Sequence, residues 1–160
     1  EQQLEITTKP GTVLPPPLRP MTWDMAREMQ ENGLVELGGH THTHPVLGRC
    51  ETTVAAREIE QCRQRMVAEL GRQPVTFAYP NGGIGDFDAT TKAQLRASGF
   101  TSSFTMLPGF IHEEDDVMSM PRYGTPESPL LLESMVSGCM ERMRELRTKA
   151  GLRRKEAGAQ

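Results

Sequence analysis

Aromatic residues make up only 5% of the 160-residue chain, and the formal net charge is −3 rather than positive. Little is therefore present to stack on bases or neutralise phosphates, which argues against a nucleic-acid partner. No apolar run approaches the ~20 residues needed to span a bilayer. Cysteines number three, an odd count, and form no CxxC pair, so a disulfide scaffold is not expected. No signal-peptide pattern is visible and the first residue is Glu1, so an upstream segment is expected to have been removed and the compartment is not legible. What is present is ordinary for a water-soluble domain, 36% hydrophobic and 24% charged residues in a chain long enough to bury a core.

Residues 1–20 hold five prolines without periodicity and read as an extended lead-in. Thr22 is placed to cap a short helix, Trp23 to Asn32, which Gly33 stops. Leu34 to Leu37 reads as a strand, followed by a loop from Gly38 to Arg49. A longer helix is expected over Val54 to Leu70, with Ala55, Ile59, Cys62, Met66 and Leu70 inward, and Arg57, Glu58, Glu60, Gln61 and Arg65 on its other sides. Val75 to Ala78 reads as a buried strand running into Tyr79-Pro80-Asn81-Gly82-Gly83, a turn sequence. Asp88 caps a helix to Ser98, and strands follow at Phe100–Thr105 and Val117–Arg122. Ser128 and Pro129 open one last helix whose inner stripe is Leu132, Met135, Val136, Cys139, Met143 and Leu146. Cys62 and Cys139 are both expected to be small buried hydrophobes. Residues 151–160 read as a solvated tail. This alternation predicts an α/β fold with a parallel sheet, whose chemistry belongs in the loops after strand ends.

Two such loops carry chemistry. Three of the four histidines fall within His40-Thr41-His42-Thr43-His44. Neutral imidazole is the commonest metal ligand, and a pair at i and i+4 on one turn can face the same ion. That makes His40 and His44 the candidate ligands of Zn2+ or another divalent transition metal. His42 is expected to point elsewhere, into the wall of a substrate pocket. Cys50, six residues after His44, is a further but weaker candidate donor. The zincin pattern HExxH is absent, since no Glu stands between the two histidines.

The run Leu37-Gly38-Gly39-His40-Thr41-His42-Thr43-His44-Pro45 resembles the H-[ST]-x-x-H metal motif of the polysaccharide deacetylases, the nodulation-protein-B homology group of carbohydrate esterase family four. Met21-Thr22-Trp23-Asp24, Phe77-Ala78-Tyr79-Pro80-Asn81-Gly82 and the terminal segment around Met135-Val136-Ser137-Gly138 resemble flanking parts of the same family. The likeness runs from about Met21 to about Gly151, a domain at 21–150. It implies a distorted (β/α) barrel with an Asp-His-His metal site that hydrolyses N-acetyl or O-acetyl groups on a polysaccharide or oligosaccharide. It assigns His40 and His44 to the histidine ligands, the backbone N–H of Asn81 to the oxyanion, and Tyr79 and Pro80 to the substrate pocket. His112 is the one histidine left for the family's late general acid. Family members are often secreted or attached to the cell envelope.

The chain departs from that pattern in one decisive place. The Thr-Phe-Asp-Asp-type motif, which supplies the third ligand and the catalytic base, does not occur in the sequence. A partial barrel missing its first strands is therefore expected, with weak metal binding and little or no turnover by these 160 residues alone. Asp115, Glu114, Cys50 or a second chain are the candidates for completing the site, and an exposed barrel edge would favour self-association. Relatives often carry Arg at the position of Ala78. The rival readings are a carbohydrate- or metal-binding remnant without catalysis and, within the family, an amidase acting on a non-sugar amide.

Overall fold

The computed structural model describes residues 20–149. The lead-in, apart from Pro20, and the tail expected at 151–160 lie outside them. The order of elements is α1 (Trp23–Glu31), a 3-10 turn (Leu47–Arg49), α2 (Thr52–Leu70), β1 (Thr76–Ala78), α3 (Ala89–Ala97), β2 (Ser102–Phe104), α4 (Pro129–Val136) and α5 (Cys139–Lys149). Three of the expected caps do their work. The side chains of Thr22, Asp88 and Ser128 each accept from a backbone N–H in the first turn, of Met25, Thr91 and Leu131. Gly71 ends α2 in the left-handed region at φ 72°, where other residues are strained.

β1 and β2 run parallel, with Phe77 opposite Ser103. Two isolated parallel bridges extend the pair on either side, Gly39 to Phe77 and Phe104 to Met120. The spatial order is thus Gly39, β1, β2, Met120, the order of the sequence itself. Helices α2 and α3 cross between the first three of these positions and pack on one another. Consecutive parallel strands with helical crossovers are the repeating unit of a (β/α) barrel, so the expected partial barrel is what the chain forms. Its core is Leu47, Ala55, Ile59, Phe77, Tyr79, Leu95, Phe100 and Met118.

Some sequence expectations do not hold. Leu34–Leu37 is not a strand, and Leu34 is 88% exposed. A strand needs a backbone partner, and the backbone bonds that join this stretch to β1 are made at Gly39, through Gly39 N–H to the Thr76 carbonyl and Ala78 N–H to the Gly39 carbonyl, each 2.8 Å. The Val117–Arg122 strand is reduced to the Met120 bridge, because Asp116 turns the chain just before it, accepting from Ser119 N–H at 2.7 Å. The final helix is two, broken at Gly138, whose φ is 74°. The break turns the expected stripe outward. Met135 is buried, but Leu132, Val136, Met143 and Leu146 are exposed, and so is Cys139.

Asp116 ties α3 to the loop before Met120. It accepts from Lys92 Nζ (2.9 Å), Arg96 (3.1 Å) and the Met118 N–H (3.0 Å). Lys92 foremost, and then the Met118 N–H, hold its carboxyl below the ordinary 3.8. The Asp88 cap is held below the same value by the N–H and hydroxyl of Thr91. A carboxylate depressed in the folded state stabilises the fold above its unfolded pKa, and that contribution is lost as pH falls through the folded value. Stability is therefore expected to hold down to about pH 4 and to decline below it. Asp116→Asn should flatten part of that decline. Its cost at neutral pH should stay below about 1 kcal/mol, since the carboxylate is 42% exposed. Urea midpoints of both proteins across pH 2.5–7 check this, and parallel curves would contradict it.

Candidate metal and deacetylation site

The site is built where the segment 38–39 crosses β1. A Cβ on Gly38 would lie 2.5 Å from the Thr76 hydroxyl, and one on Gly39 would lie 2.8 Å from a ring carbon of Phe77 and 2.9 Å from one of Phe100. The two glycines are there because the chain runs against β1 and the aromatic core with no room for a side chain. The next residue, His40, emerges at the end of β1. Its Nδ1 lies 2.7 Å from the carbonyl of Ala78. A carbonyl only accepts, so Nδ1 is the donor here, and in the neutral imidazole that leaves the lone pair on Nε2. This is the tautomer and the outer hydrogen bond of a metal-ligating histidine.

His44 returns to the same place. The two imidazole centroids are 4.8 Å apart and the rings meet edge to face at 70°. The route between them is not the helical turn that the i, i+4 spacing suggested. Thr41 and His44 both sit at φ 65°, a region that side-chain-bearing residues seldom occupy. The Thr41 hydroxyl donates to the His40 carbonyl (2.6 Å) and accepts the His44 N–H (3.0 Å). The threonine thus fixes the backbone of the loop.

The loop rests on a residue that hydropathy placed on the outside of α2. Glu58 is 7% exposed. Its Oε2 accepts the N–H of His42 (3.0 Å) and of Thr43 (2.7 Å), and its Oε1 accepts the Thr43 hydroxyl (2.8 Å). One turn further along, Cys62 is buried as expected. Burial pushes its thiol pKa up, opposed by hydrogen bonds from the backbone of His40 and Thr41. Helix periodicity could not expose the role of Glu58, since nothing in the sequence pairs a charged residue with a loop 15 positions away.

The other expected site residues fall in different surroundings. His42 is exposed. Asn81 is exposed at φ 59°, three positions beyond the carbonyl that holds His40, and its N–H takes no acceptor among the described residues. Tyr79 and Pro80 require a correction. Both are fully buried, so neither side chain lines an open pocket. The Tyr79 hydroxyl donates to the Met118 carbonyl (2.8 Å) and accepts from Ser103 (2.9 Å), while its ring stacks on Phe87 at 4.1 Å. Burial raises its pKa to about 12, which keeps it a neutral phenol. His112 lies on an exposed turn closed by its own N–H to Asp115 (2.8 Å).

Among the described residues, no group of three or more His, Cys, Asp and Glu side chains could hold a metal ion. Asp115, Glu114 and Cys50 therefore do not join the two histidines. Cys50 is half-buried beside the core and its thiol lies 3.4 Å from the Val46 carbonyl. The donors that are present fit a divalent transition metal, namely two exposed imidazoles side by side, one with its tautomer set. They provide half of a tetrahedral shell. A cleft of about 430 Å³ bordered by Leu34, Leu37, Met66, Leu70 and Val75 contains none of them.

A protein-family model described as polysaccharide deacetylase matches residues 6–103. It starts upstream of the expected boundary at Met21 and ends in β2. No curated protein matches the chain. Among solved structures, the Streptococcus pyogenes deacetylase PplD in complex with acetate shares 24% identity at a TM-score of 0.64, over 72% of this chain and 50% of that one. A polysaccharide deacetylase from Bacillus cereus shares 19% at 0.60, over 72% and 36%. A de-N-acetylase from Aggregatibacter actinomycetemcomitans shares 18% at 0.59, over 72% and 53%. At these identities the likeness is one of fold. The chain spans about half, or less, of the length of each of these structures.

Proposed function

The chain belongs to the polysaccharide deacetylase family, and from that premise we propose that His40 and His44 are two ligands of a divalent-metal site, with zinc the first candidate, that serves to remove acetyl groups from an N- or O-acetylated polysaccharide. The observation that carries the proposal is the imidazole pair, 4.8 Å apart at the end of β1, with Nδ1 of His40 committed to the Ala78 carbonyl. A bound ion supplies Lewis acidity toward an amide or ester carbonyl. The protein's own part is to hold the two imidazoles in place and to offer the Asn81 N–H to the oxygen on which charge develops. A well-aimed donor of that kind contributes roughly 3 kcal/mol. One solved structure holds acetate, the product of cleaving either bond, and another is a de-N-acetylase, which supports an acetamide among the bonds cleaved.

The third ligand and the proton-accepting carboxylate are assigned to an aspartate pair outside these 160 residues, carried by adjoining sequence or by a second chain. Because the described residues offer two donors and no third, the second reading, a binding remnant without catalysis, keeps a specific footing. Acetate release from N-acetylglucosamine oligomers and acetylated xylan separates the two. These 160 residues alone are expected to give little or no release with zinc present. The same chain extended by a segment bearing the Asp-Asp motif is expected to give release that His40→Ala abolishes. Sugar binding without release by the extended protein would favour the remnant.

A further inference from the structure

We propose that Glu58 is the positioning residue of the histidine loop: its buried carboxylate sets the backbone at His42 and Thr43 and thereby brings the imidazoles of His40 and His44 together. The inference rests on the metal-site reading above.

The geometry is specific. One oxygen gathers two consecutive amides, those of His42 and Thr43, and the other oxygen takes the Thr43 hydroxyl. Those residues are the middle of the span between the two imidazoles. The residues on either side, Thr41 and His44, are the two at φ 65°. Two such conformations so close together are unfavourable for residues with side chains and persist only where the surroundings over-determine them. Hydrogen bonds to an ionised acceptor are stronger than neutral ones, and a carboxylate can serve several donors at once. Cys62, buried one helical turn from Glu58, lies near the backbone of His40 and Thr41. One face of α2 thus lies against the span from His40 to Thr43. The carboxylate touches neither imidazole, so its effect on a metal passes through the backbone.

Three variants test this: Glu58→Leu, which removes the acceptors, Glu58→Gln, which retains an acceptor for the two amides, and Ile59→Ala, which opens a gap at a fully buried neighbour on the same helix. Zinc affinity is measured by calorimetry below the melting range of all of them, and amide hydrogen exchange is followed at His42 and Thr43. Glu58→Leu is expected to weaken zinc binding by about tenfold or more, as loss of an outer partner does at metal sites, and to speed exchange at those two amides. Glu58→Gln should restore most of both. Ile59→Ala should lower the melting temperature and leave zinc affinity as it was. If Glu58→Leu does not fold, Glu58→Asp withdraws the carboxylate by one methylene and takes its place. Zinc affinity unchanged in Glu58→Leu, or reduced equally by Ile59→Ala, overturns the proposal. If the wild-type chain binds no zinc, the metal reading fails, and Glu58 is judged on exchange alone. Unchanged protection of His42 and Thr43 in Glu58→Leu would then refute it, and selective loss would support it.

Discussion

Tyr79→Ala is expected to destabilise the fold by about 3–5 kcal/mol, the range for removing a fully buried aromatic ring, and Tyr79→Phe by only about 1 kcal/mol. The ring is fully buried between Phe77 and the stacked Phe87, and its hydroxyl meets Ser103 and the Met118 carbonyl. Deleting it leaves a cavity where β1 leads into the Asn81 turn. Deleting the hydroxyl alone is milder, because the Ser103 hydroxyl lies 2.6 Å from the Met118 carbonyl and can serve it when the phenol is gone. Against a total stability of about 5–15 kcal/mol, the alanine variant should be close to unfolding. Urea midpoints for the two variants beside wild type decide the matter. A loss under about 1 kcal/mol in Tyr79→Ala would return Tyr79 to the pocket wall suggested by its motif.

That residue shows where sequence reasoning stops. Helix ends were legible because capping is local chemistry. Thr22, Asp88 and Ser128 each act within their own first turn, and Gly71 supplies left-handed backbone at a helix end. The stripe Ala55, Ile59, Cys62, Met66 was legible because burial on a helix repeats at 3.6 residues. The α/β class followed from alternation, and the parallel pairing of β1 with β2 bears it out. Features that depend on distant partners were not legible. Leu34–Leu37 has the composition of a strand, but its backbone bonding to β1 starts at Gly39. Glu58 looks like a solvated residue until the loop it binds is in place. Tyr79 reads as part of a turn, and only the carbonyl of Met118, 39 residues on, explains its burial. The stripe read across α4 and α5 assumed one helix, and Gly138 divides it. The histidine pair lies between these cases. Its spacing marked it as a site, while the backbone that joins the rings is a strained loop rather than a helical turn.

His44→Ala is expected to have the largest effect on the site itself, removing measurable zinc binding from the chain. With two imidazoles as the donors, wild-type affinity should fall well short of four-ligand structural zinc sites, whose binding free energies reach roughly 10–16 kcal/mol. Taking one imidazole away leaves His40 alone, which has no means of retaining the ion. The fold should persist, because His44 is exposed and its backbone N–H, which meets the Thr41 hydroxyl at 3.0 Å, survives the substitution. The most direct measurement is therefore zinc calorimetry on the wild-type chain beside His44→Ala at neutral pH, with circular dichroism confirming that both are folded. Weak binding by wild type that disappears in the variant is the predicted result. Equal binding by the two proteins, or binding by neither, would contradict the assignment of His40 and His44 as a metal-ligand pair.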